Sequence, residues 1–473
     1  MDFLDRVDEQ KRFKRFLSLR EGALACVYGR RRVGKSRLIE EVIAGRNDVV
    51  VFIAERSEAA LQRSRLAVDI SALIPGFADV SYDSWSVMFD RWQKDAPKGS
   101  VLVIDELPYL VERSPELPSV LQRIADGLRT TGKKMILSGS SQRMMHGLVL
   151  NEDEPLYGRA REIVKLEPIH FRWMKNAFPA MSGWERFCLF AVVGGVPRYW
   201  ETFQGDDGMW AVLREQVFSP QGLFHDEPNY VLQDDLQDSI QATSVLSLVG
   251  RGVERLVEMA GRLQVPVTAL GRPIKRLMEL GFVTREIPFG SDAKSNKKTL
   301  YRMSDQFLRF WYSFALPNYS DANFLSTKAE VKALQPAFRV YLGQAWERLV
   351  RDEIQRKPLP GLGMRFRNAA RWWGYGVDRN PMEIDIVAES LDGETLFVGE
   401  AKLALSKKEA DRALYELESK AKQLPFAGKY KHLIPWFLVG DYPQLAKVID
   451  ESMKTNDYQP VFVLERIHEI MDV

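Results

Sequence analysis

The stretch GRRRVGKS, residues 29–36, constrains this chain more than any other. It fits the pattern G-x-x-x-x-G-K-[ST]. An apolar run, ALACVYG (23–29), precedes it and a helical pattern, SRLIEEVIAG (36–45), follows. That order gathers backbone N–H groups and the positive end of a helix around one point. Gly29 and Gly34 let the chain wrap tightly. The loop of Gly29, Arg30, Arg31, Arg32, Val33, Gly34, Lys35 and Ser36 is expected to cradle the phosphates of ATP. Lys35 is placed to reach the β- and γ-phosphates and Ser36 to hold Mg2+. A glycine turn with no ligand is the alternative, and the flanking strand and helix argue against it.

VLVIDEL (101–107) supplies a second half. Its apolar residues end in Asp105 and Glu106 at a strand's C-terminal edge, where open α/β sheets bind ligands. Asp105 is expected in the Mg2+ shell, and Glu106 is expected to activate the attacking water. Taken alone, such a strand end also reads as a simple turn cap. ILSGSS (136–141) ends another strand in small polar residues. Two readings are open there. Ser138, Ser140 or Ser141 senses the γ-phosphate, or a serine merely caps the next helix.

Short apolar runs alternate with helical patterns from residue 1 to about 168, which implies a doubly wound parallel α/β sheet. Residues 169–240 read as mostly helical. Residues 241–315 read as a winged helix, with RPIKRLMELGF (272–282) followed by two strand-like runs. A linker at 316–328 leads to a second α/β unit at 329–473. The 473-residue length alone suggests about three domains. A net charge of +2 gives no global field for nucleic acid, so any basic surface is local. Cys26 and Cys188 lack metal-ligand spacing, and the five histidines are isolated. The cysteine usage and the absence of an N-terminal signal pattern lead us to expect a cytoplasmic protein. No apolar run approaches the roughly 20 residues that span a bilayer.

GRRRVGKS, VLVIDEL, ILSGSS, PLYGRA (155–160) and GGVPRYW (194–200) together resemble a prokaryotic, mainly archaeal, AAA+-like ATPase family within the signal-transduction ATPases with numerous domains. The opening FLDRVDEQKRF is similar to that family's N-terminal box. The resemblance implies that Arg6 lies near the nucleotide base and Pro197 where a lid meets the adenine. It also makes Arg159 a candidate for sensing or stabilising the γ-phosphate. A structural arginine paired with a carboxylate is the equal alternative for Arg159, and a tight turn between helices is the plain reading of Pro197.

The C-terminal unit holds a different pattern. LFVGEAKLAL (396–405) is an apolar strand interrupted by Glu400 and Lys402, and EIDIVAE (383–389) precedes it. A turn at Asp392–Gly393 would set Asp385 opposite Glu400 and Glu383 opposite Lys402. Directly opposed Cβ atoms lie about 4.5–5.5 Å apart. Two carboxylates that close repel, and a divalent metal resolves the conflict. An amphipathic edge strand with a solvated face is the competing account. This Asp, Glu-x-Lys layout resembles the PD-(D/E)xK nuclease core. That likeness implies catalytic roles for Asp385, Glu400 and Lys402, with Asp385 and Glu400 as metal ligands. It adds Glu347 from the preceding helix and the tryptophan-rich RWWGYG (371–376). Pro381 stands four residues before Asp385, a departure from the family's usual spacing.

Basic residues of the winged-helix region, Arg272, Lys275, Arg276, Lys294, Lys297 and Lys298, are candidates for phosphate contacts or are simply solvated. MRFRNAARWW (364–373) either tracks a nucleic-acid backbone or is a core strand with solvated arginines. The sequence therefore points to a Mg2+-dependent ATPase acting as a nucleotide switch, coupled to a nuclease-like effector that cuts DNA or RNA. The alternatives are a non-nucleolytic, ATP-dependent regulator that binds DNA or a protein partner, and a C-terminal shell for assembly. Self-association is left open, and no membrane partner is expected.

Overall fold

The computed structural model describes residues 3–205, 207–236, 240–292, 298–318, 328–356, 363–404, 407–439 and 461–463. The chain divides into two compact units. The first comprises Met1–Ile169, Gly195–Thr202 and Asn229–Gln237, and the remaining segments form the second.

In the first unit, strands and helices alternate: α1 (Val7–Leu17), β1 (Ala23–Tyr28), α2 (Lys35–Ile43), β2 (Val49–Ile53), α3 (Ala59–Ser71), α4 (Trp85–Asp95), β3 (Val101–Asp105), α5 (Leu107–Arg113), α6 (Leu117–Thr131), β4 (Lys134–Gly139), α7 (Gln142–Leu150) and β5 (Ala160–Lys165). The strands form a five-stranded sheet in the order β2-β3-β4-β1-β5, and every pairing is parallel. Such a sheet needs both faces covered, so its strands read as continuous apolar runs. β1 shows the consequence. Leu24, Cys26 and Tyr28 join one core cluster, with Trp85, Phe89 and Leu121 from the helices, while Ala25 and Val27 join the other, with Phe13 and Leu38. The period of two sends alternate residues to opposite layers. β1 lies inside the sheet between β4 and β5, so the loop that follows it opens at the sheet's C-terminal edge. Cys26 is fully buried, and burial pushes its thiol up to about 12, as expected of a small core residue.

The second unit begins with short helices, α8 (Met174–Ala177) and α9 (Gly183–Val193). α10 (Pro197–Thr202) belongs to the first unit, and α11 (Met209–Leu213) to the second. α12 (Glu227–Leu236) spans the division. Three helices follow: α13 (Ile240–Gly250), α14 (Leu256–Leu263) and α15 (Gly271–Glu279). An antiparallel pair, β6 (Val283–Glu286) and β7 (Leu300–Met303), then leads to α16 (Gln306–Phe310).

The C-terminal part runs α17 (Lys328–Arg356), β8 (Phe366–Tyr375), β9 (Pro381–Ser390), β10 (Thr395–Lys402), α18 (Lys407–Gln423), β11 (His432–Val439) and β12 (Val461–Val463). Its sheet order is β12-β11-β10-β9-β8. β8, β9 and β10 form an antiparallel meander, and α18 returns the chain so that β11 lies parallel to β10. α17 packs against β8, β9 and β10. Leu417 and Ala421 of α18, with Leu424 just after it, share a core with Ile384, Leu396 and Val398. Covering helices explain why β10 is apolar at both parities. The register Leu396↔Glu389 through Gly399↔Ile386 is the one that the Asp392–Gly393 turn leads one to expect, and extended by one residue it sets Glu400 opposite Asp385. Gly393 supplies the turn's positive φ of 75°, and Asp392 accepts from the Glu394 N–H over 3.0 Å. Among the described residues, no helix is long and apolar enough to cross a membrane.

Candidate functional site

The first candidate site lies at the end of β1. Gly34 caps α2 with φ 98°, a conformation that a side chain would strain. At Gly29, a Cβ would lie 2.4 Å from the Leu166 carbonyl oxygen, so only glycine lets the loop leave the sheet there. The Lys35 ammonium lies back over the loop and donates to the carbonyls of Gly29 (3.1 Å) and Arg30 (3.3 Å). Its neighbour Ser36 donates from Oγ to Asp105 Oδ2 over 2.6 Å. Oδ1 of the buried Asp105 accepts from the Glu106 N–H at 2.9 Å. Ser36 and Asp105 thus bring two hard oxygen donors together beside the loop, the donor set that Mg2+ prefers.

Glu106 takes a left-handed conformation, φ 55°, at the start of α5. Its Oε2 accepts from both the N–H and the hydroxyl of Ser140, the residue after β4. Ser141 caps α7 through the Met144 N–H, and Ser138 is fully buried. The three serines therefore occupy distinct positions, and Ser140 is joined to the acidic residue Glu106.

Arg6 is buried. It donates to the carbonyls of Val33 (3.2 Å) and Glu167 (2.6 Å) and pairs with Glu9 at 3.4 Å. Burial draws its pKa down, against the opposing pull of Glu9. Arg30 donates to the Tyr199 hydroxyl at 2.8 Å and lies 5.3 Å from that ring's centre. Tyr199 sits on α10, which also brings Pro197, Arg198 and Glu201 to the site. With Arg6, residues 31–37 and Glu106, they line a cleft of about 470 Å³, large enough for a nucleotide-sized ligand. Arg159 is placed elsewhere. It pairs with Asp126 at 2.9 Å, donates to the Pro155 carbonyl and does not line the cleft. Tyr199 carries no spacing signal, and only the aromatic run PRYW marks it in the sequence.

The second candidate site lies in the C-terminal sheet. Asp385 of β9 and Glu400 of β10 face each other, and Asp385 Oδ2 accepts from the Ala401 N–H at 3.0 Å. Glu400 is buried. Its Oε2 takes Lys402 at 2.9 Å, and its Oε1 takes Lys420 of α18 at 2.6 Å. Glu347, on α17, feels both Asp385 and Lys402. Burial and then Asp385 push its carboxyl up to about 7. Burial and Glu400 also raise Asp385. Burial alone would raise Glu400, but Lys402 and Lys420 outweigh it and hold the carboxylate below its ordinary range. Burial works against the charge on Lys402, and Glu400 more than offsets it, so that pKa is raised. Among the described residues, no three His, Cys, Asp or Glu side chains are gathered so as to hold a metal ion. Asp385 and Glu400 offer a pair. Glu383 stands two residues before Asp385 on β9. Its carboxylate binds Arg371, and its carbonyl accepts from Lys420 at 3.2 Å.

Lys420 was not anticipated from the sequence. Its position between Leu417 and Leu424, beside the buried stripe of α18, is the signal that marks it. Arg351 was also missed. Its Nε donates to the Asp385 carbonyl at 3.1 Å, while Nη1 reaches Glu286 of β6 at 3.4 Å. Glu286 also pairs with Arg302 (3.1 Å) and Arg371 (3.6 Å).

The basic residues divide. Arg272 and Lys298 are exposed, and Lys275 pairs with Glu279 at 3.6 Å. Arg276 is half-buried, and Lys294 and Lys297 lie outside the described residues. In the RWW stretch, Trp372 enters the core. Arg371 is tied into the Glu286 and Glu383 ion pairs rather than solvated.

Comparison with known proteins fits this geometry. Residues 3–199 match a family model described as an ATPase domain predominantly from Archaea. Residues 311–413 match one described as archaeal and bacterial proteins of unknown function. The chain is 26% identical over 399 residues to the uncharacterized protein MJECL04 of Methanocaldococcus jannaschii, covering 84% of this chain and 86% of that one. Its fold is similar to that of the Walker-type ATPase PABY2304 of Pyrococcus abyssi, with a TM-score of 0.50 and 18% identity. The likeness covers 65% of this chain and 95% of that one. The chain is thus an ATPase, its N-terminal part matching an ATPase domain model and residues 311–413 matching a model for proteins of unknown function.

Proposed function

We propose that the chain is an ATP-driven switch of the AAA+-like, signal-transduction type, and that its C-terminal domain is a metal-dependent, nuclease-like effector acting on DNA or RNA. In this reading residues 1–168 are the ATPase, 169–240 a lid, 241–315 a winged helix and 329–473 the effector. At the P-loop, backbone N–H groups and Lys35 would bind the phosphates, and Glu106 would take a proton from the attacking water while Ser140 holds its carboxylate. Ser36 and Asp105 would hold Mg2+, which supplies positive charge to the β- and γ-phosphate oxygens. Arg6 positions the loop through Val33, and Pro197 lies over Gly34, at 3.9 Å from where a Cβ there would be. Arg159, paired with Asp126, fits a structural role better than a phosphate contact.

The observation that carries the effector reading is that Asp385, Glu400 and Lys402 meet on neighbouring strands of an α-β-β-β-α-β unit, Asp385 through the Ala401 N–H and Lys402 through Glu400. Asp385 and Glu400 would hold the divalent ion, which polarises a phosphodiester. Lys402 would orient the water or meet the charge that develops on phosphorus. A second reading, a regulator that binds without cutting, is favoured by one fact. Both carboxylate oxygens of Glu400 are already engaged by ammonium groups. A cleavage assay on single- and double-stranded DNA and RNA, with Mg2+ or Mn2+, separates the two. Cutting by the wild type that disappears in Lys402→Ala and Asp385→Asn supports the effector. No cutting of any substrate supports the regulator.

A further inference from the structure

The Asp385–Glu400 pair meets its counter-charges within the fold. Asp385 and Glu400 bring two negative charges, and Lys402 and Lys420 bring two positive ones. Lys402 comes from the same strand as Glu400. Lys420 comes from the last turn of α18, where the helix's negative end favours a cation. Its Nζ is fixed by the Glu400 carboxylate at 2.6 Å and the Glu383 carbonyl at 3.2 Å. The Glu400 side chain is only 10% exposed, so its charge is compensated from within. A divalent ion entering beside Asp385 and Glu400 would therefore meet two ammonium groups already on the carboxylate it needs. Like charges at such distances repel strongly.

We propose that Lys420 is a tethered counter-ion. Its ammonium neutralises Glu400 until a divalent cation arrives together with a phosphodiester, and it then moves from Glu400 to a non-bridging phosphate oxygen. The site thus resists free metal and admits it with its anionic substrate. This rests on the nuclease-like reading and adds to it the order in which metal and nucleic acid bind. Lys420 would thereby become a substrate-contacting residue of that site. Its half-exposed side chain has room to swing, since 36% of it is open to solvent.

The test is Mn2+ titration of the full chain without nucleotide, by calorimetry and by electron paramagnetic resonance. The C-terminal site is identified as the binding lost in Asp385→Asn. Lys420→Gln is expected to bind Mn2+ about tenfold tighter or more. That is the change expected when one positive charge is removed from beside a divalent ion, even at water-like screening. Lys420→Arg keeps the charge and should bind like the wild type, while Lys420→Met should repeat the Gln result. Equal or weaker Mn2+ binding by both neutral variants, with the wild-type site present, overturns the counter-ion role and leaves the nuclease-like reading standing. If no variant shows Asp385-dependent Mn2+ binding, both fall together.

Discussion

The hydroxyl and the backbone N–H of Ser140 both donate to Oε2 of Glu106, over 2.8 and 3.0 Å. Glu106 sits in a left-handed turn after β3, and Ser140 follows the adjacent strand β4. Two neighbouring strand ends thus fix the direction of one carboxylate. Ser140→Ala keeps the backbone bond and removes the hydroxyl. A single such bond contributes roughly 0.5–1.5 kcal/mol. The kcat for ATP hydrolysis should fall about two- to tenfold with KM nearly unchanged. Steady-state kinetics check this, and an unchanged kcat with a raised KM would contradict it.

Arg6 ties the N-terminal segment to the P-loop. Its removal leaves the Val33 and Glu167 carbonyls without that donor inside the fold. Arg6→Ala should lower the stability of the full chain by about 1–3 kcal/mol and weaken ATP binding. Denaturant unfolding and nucleotide titration measure the two effects separately.

The carboxyl of Glu347 is raised by burial and Asp385 from an ordinary value of 4.5 to about 7. Between those values the folded chain holds more protons than the unfolded chain. Stability therefore falls as pH rises from about 4.5 to about 7, and the cost is complete above that. Glu347→Gln removes the cost. Its melting temperature should match the wild type near pH 4 and exceed it near pH 8. A gap that narrows on raising the pH would show that the sign is wrong.

Glu286 is a hub for three arginines, Arg302, Arg351 and Arg371, all largely buried. Arg351 in turn holds the carbonyl of Asp385. Losing the central carboxylate removes the ion pair of Arg351 and one of the two made by each of Arg302 and Arg371, which keep Glu254 and Glu383; breaking such a buried network costs up to about 3–5 kcal/mol. Glu286→Gln should destabilise the second unit by that order in denaturant unfolding and lower any metal affinity that depends on Asp385. A loss under 1 kcal/mol would show that the network relaxes into solvent.

What the sequence revealed and what it hid have physical causes. The P-loop and the strand ending at Asp105–Glu106 were legible because strand, loop and helix must adjoin there. The Asp385–Glu400 register was legible because the turn at Asp392–Gly393 and a period of two determine it. Lys420, Arg351 and Tyr199 were hidden because each reaches its partner through tertiary packing, from a helix distant in sequence. Arg371 looked solvated beside its aromatic neighbours, but the fold supplies Glu286 and Glu383 on either side of it. Local patterns carry backbone geometry well. They carry poorly the pairing of long charged side chains across elements.

The chain passes between its two units five times, and the segment Gly195–Thr202, whose α10 lines the cleft at the P-loop, is joined at both ends to segments of the second unit. A covalent route for coupling therefore exists. The most direct test measures nucleic-acid cleavage by the full chain with Mg2+, with and without ATP, for the wild type and Lys35→Ala. The account predicts that ATP changes the wild-type rate and leaves Lys35→Ala unaffected, while Lys402→Ala is inactive throughout. Identical cleavage with and without ATP, or an undiminished ATP response in Lys35→Ala, would contradict it.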